Sequence, residues 1–238
     1  MSSSKYKRVL LKLSGEALVG TKEYGIDDSF ISDLAAQLVE IHKNNIQLII
    51  VIGGGNFFRG SDLEKLGIQR VTADHMGMLA TVINSLALQS SIEKLDIECR
   101  VMSSITIDAV CEKYIKRKAE RHLEKNRVVV LAAGTGNPFF TTDSAAALRA
   151  NELGSEILLK GTKVDGVYDR DPVKNNDAKK YENLSYSKVI QDNLRVMDMT
   201  AITLCQENNI PIKVFNIKSS GHLHEIVMGS NIGTTIGK

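Results

Sequence analysis

The sequence predicts an α/β fold in which helices cover both faces of a mostly parallel sheet. Short apolar, β-branched runs alternate with longer segments of helical periodicity, which is the pattern of parallel strands joined by helices. The run Leu-Ile-Ile-Val-Ile at 48–52 is apolar throughout, as expected for a strand covered on both faces. The length of 238 residues suits one large domain or two small ones, and the 43% hydrophobic content is enough for a core of real size.

The same alternation places the individual elements along the chain. The predicted strands lie at 8–13, 47–52, 100–102, 128–132, 157–159 and 213–215. The predicted helices lie at 28–44, 74–95, 108–125, 143–153 and 199–208. We interpret the turn-rich segment 169–180 as a mobile surface loop, not a domain boundary, because strand and helix signals resume on both sides. We therefore expect a single domain over residues 1–238.

Charge and cysteine content argue against several classes of protein. A net charge of +2 is too small to indicate a nucleic-acid-binding protein. Three cysteines without a CxxC pair favour free thiols in a reducing compartment over disulfides or a zinc site, so no metal ligands are expected. The N-terminus lacks the apolar core of a signal peptide, and polar residues interrupt the least charged stretch, 76–92. We expect a cytoplasmic protein with no membrane contact.

Two apolar features each have two interpretations. The helix at 74–95 is apolar nearly all round, so it is either buried in the domain or packed on another subunit. We favour a subunit interface, because one domain of this size has few places to bury such a helix. Phe139 and Phe140 are either core anchors or the wall of a ligand pocket, and sequence alone favours the core.

Four predicted strands run directly into glycine-rich or polar turns. Ligands of open α/β sheets bind outside the carboxyl ends of the strands, and glycine lets main-chain N–H groups approach an anion. Any one of these turns is equally well explained as an ordinary tight turn. Four together, with cations beside three of them, indicate a phosphate-binding edge. The turns contain Ser14-Gly15, Gly53-Gly54-Gly55, Gly134-Thr135-Gly136 and Gly161-Thr162.

Neither common nucleotide-binding glycine motif, G-x-x-x-x-G-K-[ST] or G-x-G-x-x-G, is present. Phosphoryl transfer needs positioning and positive charge, which Lys12 and Arg59 can supply. Lys12 ends an apolar strand, where it either meets an anion or extends its ammonium group to the surface. Asp143 opens a helix and has two compatible interpretations: a simple N-cap, which Thr142 or Asp143 can provide, and a carboxylate that holds the catalytic lysine in place.

These motifs together resemble those of the bacterial UMP kinases of the amino acid kinase superfamily. The resemblance runs from residue 7 to 236, and the string GTGNPFFTTD at 134–143 is its most specific part. The other motifs are KLSGE at 12–16, VIGGGN at 51–56 followed by Arg59-Gly60, ADHMGM at 73–78, the segment 160–172, and VMD at 196–198.

The resemblance implies a three-layer α/β/α sandwich around a mostly parallel sheet of about eight strands. It implies transfer of the γ-phosphate of ATP to UMP, giving UDP for pyrimidine nucleotide biosynthesis, with Mg²⁺ bound through the ATP phosphates. It also implies a homohexamer built from dimers. The N-terminal half would bind mainly UMP and other subunits, and the C-terminal half mainly ATP.

The resemblance also implies roles for individual residues. The catalytic set would be Lys12, Arg59 and Asp143. ATP would contact Lys12, Leu13, Ser14, Gly15, Gly55, Arg59, Thr162, Tyr168 and Asp171. UMP would contact Gly54, Asp74, Thr135, Gly136, Asn137, Pro138, Phe139, Phe140, Thr141 and Thr142.

Regulation is implied as well, with UTP as an inhibitor and GTP as an activator in many members. The segment Gly20, Thr21, Lys22, Glu23, Tyr24 and Gly25 matches the family's regulatory loop in position and length, and its alternatives are a lid or a plain loop. The acetylglutamate kinase relatives carry a catalytic lysine near the position of Met197, for which Arg59 is the plausible replacement here. The rival hypotheses are a kinase for a small carboxylate or carbamate and a non-enzymatic nucleotide sensor or storage protein.

Overall fold

A nine-stranded sheet forms the centre of the computed structural model, which describes residues 4–58 and 66–238. Its order is β4-β3-β5-β2-β1-β6-β10-β11-β9, and every neighbouring pair is parallel except β10 and β11. A separate antiparallel pair joins β7 to β8. The strands are β1 Arg8–Leu13, β2 Gln47–Ile52, β3 Cys99–Ser103, β4 Glu112–Lys113, β5 Val128–Ala132, β6 Ile157–Thr162, β7 Val167–Tyr168, β8 Lys180–Tyr181, β9 Asn183–Ser185, β10 Ile212–Asn216 and β11 Thr234–Gly237.

Helices cover both faces of this sheet and enclose two apolar cores. Residues of α1, α2 and α7 pack on one face, and residues of α3 to α6 pack on the other. The described helices are α1 Asp28–His42, α2 Arg70–Glu93, α3 Lys116–Glu124, α4 Thr142–Glu152, α5 Tyr186–Gln191, α6 Met199–Glu207 and α7 His222–Val227.

Strand β1 shows why the central strands are apolar at nearly every position. Val9 and Leu11 point to the core under α1 and α2, whereas Leu10 points to the core under α4. Both faces are therefore buried, which explains the absence of polar alternation. The predicted α/β fold with a mostly parallel sheet between helical layers is confirmed.

The predicted helix 108–125 is wrong in its first half. Residues 108–110 form a turn, 112–113 form β4, and the helix begins only at Lys116. β4 extends the sheet by pairing Glu112 with Met102, and the Tyr114 N–H donates to the carbonyl of Ser103 at 2.8 Å. The strand contacts to β3 outweigh the helical propensity of this segment, which is a weak preference.

Other differences concern short elements and boundaries. α2 begins at Arg70, four residues before the predicted start. The segment 169–180 is the loop between β7 and β8, and its last residue pairs with Tyr168. The pattern predicted neither the two short helices α5 and α7 nor the five strands β4, β7, β8, β9 and β11, most of which are too short to show a periodicity.

Helix α2 is buried along one side and apolar along part of the other. Met78 and Val82 lie in the core, while the side chains of Leu79 and Ile83 are 48% and 49% exposed. Complete burial within the domain is therefore wrong for this helix, and the subunit interface remains a prediction. Among the described residues, no helix combines the length and apolar character needed to cross a membrane.

Candidate functional site

The four strands that precede the predicted turns lie side by side in the sheet. The turn predicted at Gly161-Thr162 is wrong in position, because both residues belong to β6 and the turn begins at Lys163. The order β5-β2-β1-β6 is parallel throughout, so Ala132, Ile52, Leu13 and Thr162 end at the same edge. The glycine-rich turns therefore meet at one edge of the molecule, which is where open α/β sheets bind ligands.

An ion cluster of one carboxylate and two ammonium groups lies at this edge. The Nζ atoms of Lys12 and Lys160 lie 2.6 Å and 2.7 Å from the two carboxylate oxygens of Asp143. The three side chains are 7%, 13% and 14% exposed for Lys12, Lys160 and Asp143 respectively. Lys160 also donates to the carbonyl of Val196. With both lysines protonated, the cluster has one positive charge in excess at the edge where the glycine-rich turns meet.

Burial and the neighbouring charges change the pKa values of Asp143 and Lys160. Burial raises the pKa of Asp143, but the charges of Lys12 and Lys160 outweigh burial and hold this pKa below its ordinary value. Burial lowers the pKa of Lys160, and the charge of Lys12 adds to this effect against the attraction of Asp143. Asp143 is therefore a fixed anion that keeps two cations close together.

Asp143 is positioned by the start of α4, whose N-cap is Thr141. The Oγ1 atom of Thr141 accepts hydrogen bonds from the N–H groups of Asp143 and Ser144 at 3.1 Å and 3.2 Å. The prediction that Thr142 or Asp143 is the N-cap was therefore wrong. Thr141 also donates to Asp198, and Asp198 accepts from the Ser144 hydroxyl at 2.8 Å. Because Asp198 is also the N-cap of α6, its carboxylate links the first turn of α6 to the first turn of α4.

The turns after β1 and β2 pack against each other without room for side chains. A Cβ atom on Gly15 would lie 2.5 Å from the carbonyl oxygen of Gly53 and 2.6 Å from the nitrogen of Gly55. A Cβ atom on Gly54 would lie 2.6 Å from the carbonyl oxygen of Gly77 in α2. Glycine is required at these positions because the two turns approach each other too closely to leave room for a Cβ atom.

A first cavity of about 320 Å³ lies between α2 and the turn after β5. Six of the predicted UMP residues line it, namely Gly54, Asp74, Thr135, Phe140, Thr141 and Thr142. Gly136, Asn137, Pro138 and Phe139 belong to the adjoining loop but not to the lining. The predicted UMP and ATP contacts did not include six other lining residues, none of which carries a charge. The family motifs at 73–78 and 134–143 contain four of them, and the six are Phe58, Ala73, Gly77, Met78, Thr81 and Gly134.

The loop beside this cavity is fastened to α2. A carboxylate oxygen of Asp74 accepts from the Phe139 N–H at 2.7 Å, and the Arg70 guanidinium lies 3.0 Å from the same carboxylate. Phe139 adopts a φ of 71°, which is unfavourable for a bulky residue. Phe139 and Phe140 are 66% and 52% exposed, so the interpretation of these rings as core anchors was wrong.

A second cavity of about 570 Å³ lies between the β7–β8 loop and β10. Thr162, Tyr168 and Asp171, predicted to hold the adenosine end of ATP, line it together. The Tyr168 hydroxyl donates to Asp165 at 2.6 Å, which orients the ring. Leu13, also predicted to contact ATP, is fully buried, so only its main chain can contribute at the edge.

A third cavity of about 490 Å³ lies between the predicted regulatory segment and the turn at Gly55. Gly20, Lys22, Glu23 and Tyr24 line it, whereas Thr21 lines a neighbouring cavity and Gly25 lines neither. Lys163 and Lys218 also line this space and were not predicted as site residues. Lys163 lies 3.2 Å from Glu16, which connects the turns after β1 and β6.

Two predicted catalytic residues, Lys12 and Asp143, thus lie in contact, whereas Arg59 lies outside the described residues. Sequence reasoning did not assign Lys160 or Asp198. The signal for Lys160 was present, because it is a charge at the carboxyl end of an apolar strand, as Lys12 is. In the described part of the chain, no group of three His, Cys, Asp or Glu side chains could hold a metal ion.

Comparisons with known proteins agree with this geometry. The family model of the amino acid kinase family matches residues 7–216. A uridylate kinase of Xanthomonas campestris pv. campestris is 54% identical over 236 residues, which cover 99% of this chain and 98% of that protein.

Solved structures of similar proteins give the same result. The crystal structure of UMP kinase from Bacillus anthracis superimposes with a TM-score of 0.95 at 41% identity, covering 98% of this chain and 96% of that one. The UMP kinase from Ureaplasma parvum gives a TM-score of 0.93 at 40% identity, with 98% and 100% coverage. The family predicted from the motifs is confirmed: the chain belongs to the amino acid kinase family and, within it, to the uridylate kinases.

Proposed function

We propose that the chain transfers the γ-phosphate of ATP to UMP and releases ADP and UDP. The observation that carries the proposal is the position of the Lys12–Asp143–Lys160 cluster between two cavities. Thr142, next to Asp143, lines the first cavity, and Val196, whose carbonyl accepts from Lys160, lines the second. A phosphate acceptor in the first cavity and ATP in the second would meet at the two ammonium groups.

The chemistry needs positioning and charge more than proton transfer. An oxygen of the UMP phosphate forms a bond to the γ-phosphorus, and the bond from that phosphorus to the β–γ bridging oxygen breaks, leaving its electron pair on ADP. The attacking phosphate is already an anion, so a general base is not required. Lys12 and Lys160 would stabilise the charge on the transferring group, and Asp143 would keep both ammonium groups in place.

The substrates would divide between the cavities. In the first, UMP would lie against Gly54, Asp74 and the loop 135–142, and in the second, adenosine would lie against Thr162, Tyr168 and Asp171. The ATP phosphates would lie against Ser14, Gly15 and Gly55. Arg59 would add a third positive charge to those of Lys12 and Lys160. Because the described residues lack a carboxylate cluster, Mg²⁺ would arrive bound to the ATP phosphates, where it neutralises phosphate charge.

Regulation and assembly are part of the same proposal. UTP would inhibit and GTP would activate, with the segment 20–25 as the regulatory loop, because it borders the cavity next to Gly55.

The single domain would assemble into a cytoplasmic homohexamer through the exposed apolar side of α2. Leu79 and Ile83 on that side support the assembly, because large apolar side chains at a free surface mark contact sites.

A coupled assay of ADP release tests the reaction. The assay compares UMP, CMP, dUMP and acetylglutamate as acceptors at fixed ATP and Mg²⁺. We expect UMP to be preferred over the other three, and a Lys12→Met variant, folded by circular dichroism, to lose most of the turnover. A response to UMP no larger than that to acetylglutamate would overturn the proposal.

A further inference from the structure

Arg149 is a buried cation of α4 that the reaction described above does not use. The residue is 6% exposed and lies about two turns after Asp143 on the same helix. Its Nη1 atom pairs with Glu152, and its guanidinium carbon lies 3.9 Å from the ring centre of Tyr114. The Tyr114 hydroxyl donates to the same Glu152 oxygen at 2.7 Å. Arg149 is thus locked in one orientation by a carboxylate and an aromatic ring.

Through the hydroxyl of Ser104, the other side of this guanidinium is linked to residues 133–136, which we call the acceptor loop because Gly134 and Thr135 line the first cavity. Arg149 Nη2 donates to the Ser104 hydroxyl at 3.0 Å, and that hydroxyl donates to the carbonyl of Gly134 at 2.7 Å. The three groups form a chain in which each hydrogen bond polarises the next. Gly136 packs on the same serine, since a Cβ atom there would lie 3.2 Å from the Ser104 Cβ atom.

The loop at 133–136 adopts a conformation that needs external support. Ala133, Gly134 and Gly136 have φ values of 60°, 57° and 82°, and Ala133 is strained because it carries a Cβ atom. From the other side, the Thr81 hydroxyl accepts from the Ala133 N–H at 2.7 Å. The strained turn is therefore clamped between α2 and the Arg149–Ser104 pair.

We infer that Arg149 is a positioning residue that sets the acceptor loop through Ser104 and thereby controls the affinity for the acceptor nucleotide. The inference rests on the proposed function, which places UMP against this loop. Because α4 carries Asp143 at its start and Arg149 farther along, one rigid element sets both the ion cluster and the acceptor loop. Loss of the contact would leave the ion cluster intact and misplace the acceptor, a displacement that lowers catalysis without removing a reacting group.

Steady-state kinetics of Ser104→Ala and Arg149→Met test the inference. We expect KM for UMP to rise about tenfold in each variant, which corresponds to ~1.4 kcal/mol, with KM for ATP changed less than about twofold. Asn151→Ala is the matched control, because Asn151 lies on α4 and its side chain donates to the carbonyls of Ala147 and Leu204 and not to the loop. It should leave both KM values unchanged.

Hydrogen exchange of the ligand-free enzyme gives a readout that does not depend on the substrate. We expect the amides of 133–137 to exchange faster in Ser104→Ala and Arg149→Met than in wild type, and unchanged in Asn151→Ala. Unchanged exchange in a folded variant would overturn the inference, as would KM values for both substrates that rise together with a fall in Tm. If Arg149→Met does not fold, Ser104→Ala carries both tests. If the wild-type enzyme releases no ADP in response to UMP, the proposed function is wrong. The hydrogen-exchange data would still decide whether Arg149 orders the loop.

Discussion

Lys12 and Asp143 form a buried ion pair of 2.6 Å between the end of β1 and the start of α4. The pair is not electrically neutral in its surroundings, because Lys160 on the neighbouring strand shares the same carboxylate. A carboxylate that holds two ammonium groups side by side keeps positive charge at a point where the lysines alone would repel each other. Both the stability and the chemistry of this edge therefore depend on Asp143.

Asp143→Asn should reduce stability and turnover together. The change leaves two buried ammonium groups without a carboxylate, and we expect a loss of about 3 kcal/mol in the free energy of unfolding. The two ammonium groups would move apart and would no longer be held beside the transferring phosphate, so kcat should fall about a hundredfold. Urea denaturation and the ADP-release assay measure the two effects, with the exposed Asp33→Asn as a control that should change neither.

The double variant Asp143→Asn/Lys160→Met separates the two effects. Removing one of the stranded cations should restore part of the stability, so the double variant should be less destabilised than the sum of the single variants. Turnover should stay low, because the double variant lacks both the carboxylate of Asp143 and the ammonium group of Lys160. Strict additivity of the two stability losses would show that the groups act independently and would contradict the cluster.

The titration of Lys160 should set an alkaline limit on activity. Burial and the neighbouring Lys12 lower the pKa of Lys160 from its ordinary value of 10.5, so the group loses its charge at a lower pH than a free lysine does. We expect kcat/KM for ATP to fall as the pH rises, with a midpoint below 10.5. Lys160→Arg keeps its charge across this range and should move the midpoint upward. If kcat/KM for ATP falls with the same midpoint pH in wild type and in Lys160→Arg, the titrating group is not Lys160.

Much of this edge could be predicted from sequence because its signals are local. Lys12 is a charge near the end of an apolar strand, and the glycines at 53–55 directly follow an equally apolar one. Side chains at strand ends converge once the strands are known to be parallel neighbours. Lys160 carries the same signal as Lys12, because it also follows an apolar run, but the sequence reasoning gave it no role of its own.

The parts that sequence reasoning missed depend on contacts between distant segments. The strand at Glu112 forms because β3 offers a free edge, although the local pattern reads as a helix. The Thr141 hydroxyl that caps α4 also donates to Asp198, and this contact joins two segments that lie far apart in the sequence. Phe140 is partly exposed because it borders a cavity, and composition cannot distinguish a cavity wall from a core.

Asp27 should link the predicted regulatory segment to α1 in a pH-dependent way. Its carboxylate accepts from the Ser29 hydroxyl at 2.6 Å and the Phe30 N–H at 3.1 Å, and from the Thr21 N–H at 3.1 Å. These bonds hold the pKa of Asp27 well below its ordinary value, with Ser29 as the largest cause. A folded-state pKa below the unfolded one stabilises the protein above the unfolded pKa of about 3.9, and this contribution is lost as pH falls toward the folded value.

Asp27→Asn should therefore lower Tm at pH 7 and pH 5 by the same amount, and by less at pH 3. Differential scanning calorimetry of both proteins at the three pH values measures the difference. Asp28→Asn is the matched control, because its side chain is almost fully exposed at the start of the same helix, and it should show only a small effect. A Tm difference that stays constant down to pH 3 would show that the carboxylate charge does not contribute.

Ile83→Glu should break the proposed assembly while leaving the fold of the subunit intact. Ile83 and Leu79 are half exposed on α2, so a carboxylate at 83 costs little in the isolated subunit but would be buried without a partner in an interface. Each interface would also lose the burial of an isoleucine, worth about 1.5–3 kcal/mol per side chain. Light scattering after gel filtration should show a large particle for wild type and a smaller one for the variant. Val173→Glu, which changes a more exposed apolar residue in the β7–β8 loop, should leave the mass unchanged, and an unaltered mass for Ile83→Glu would place the interface on another surface.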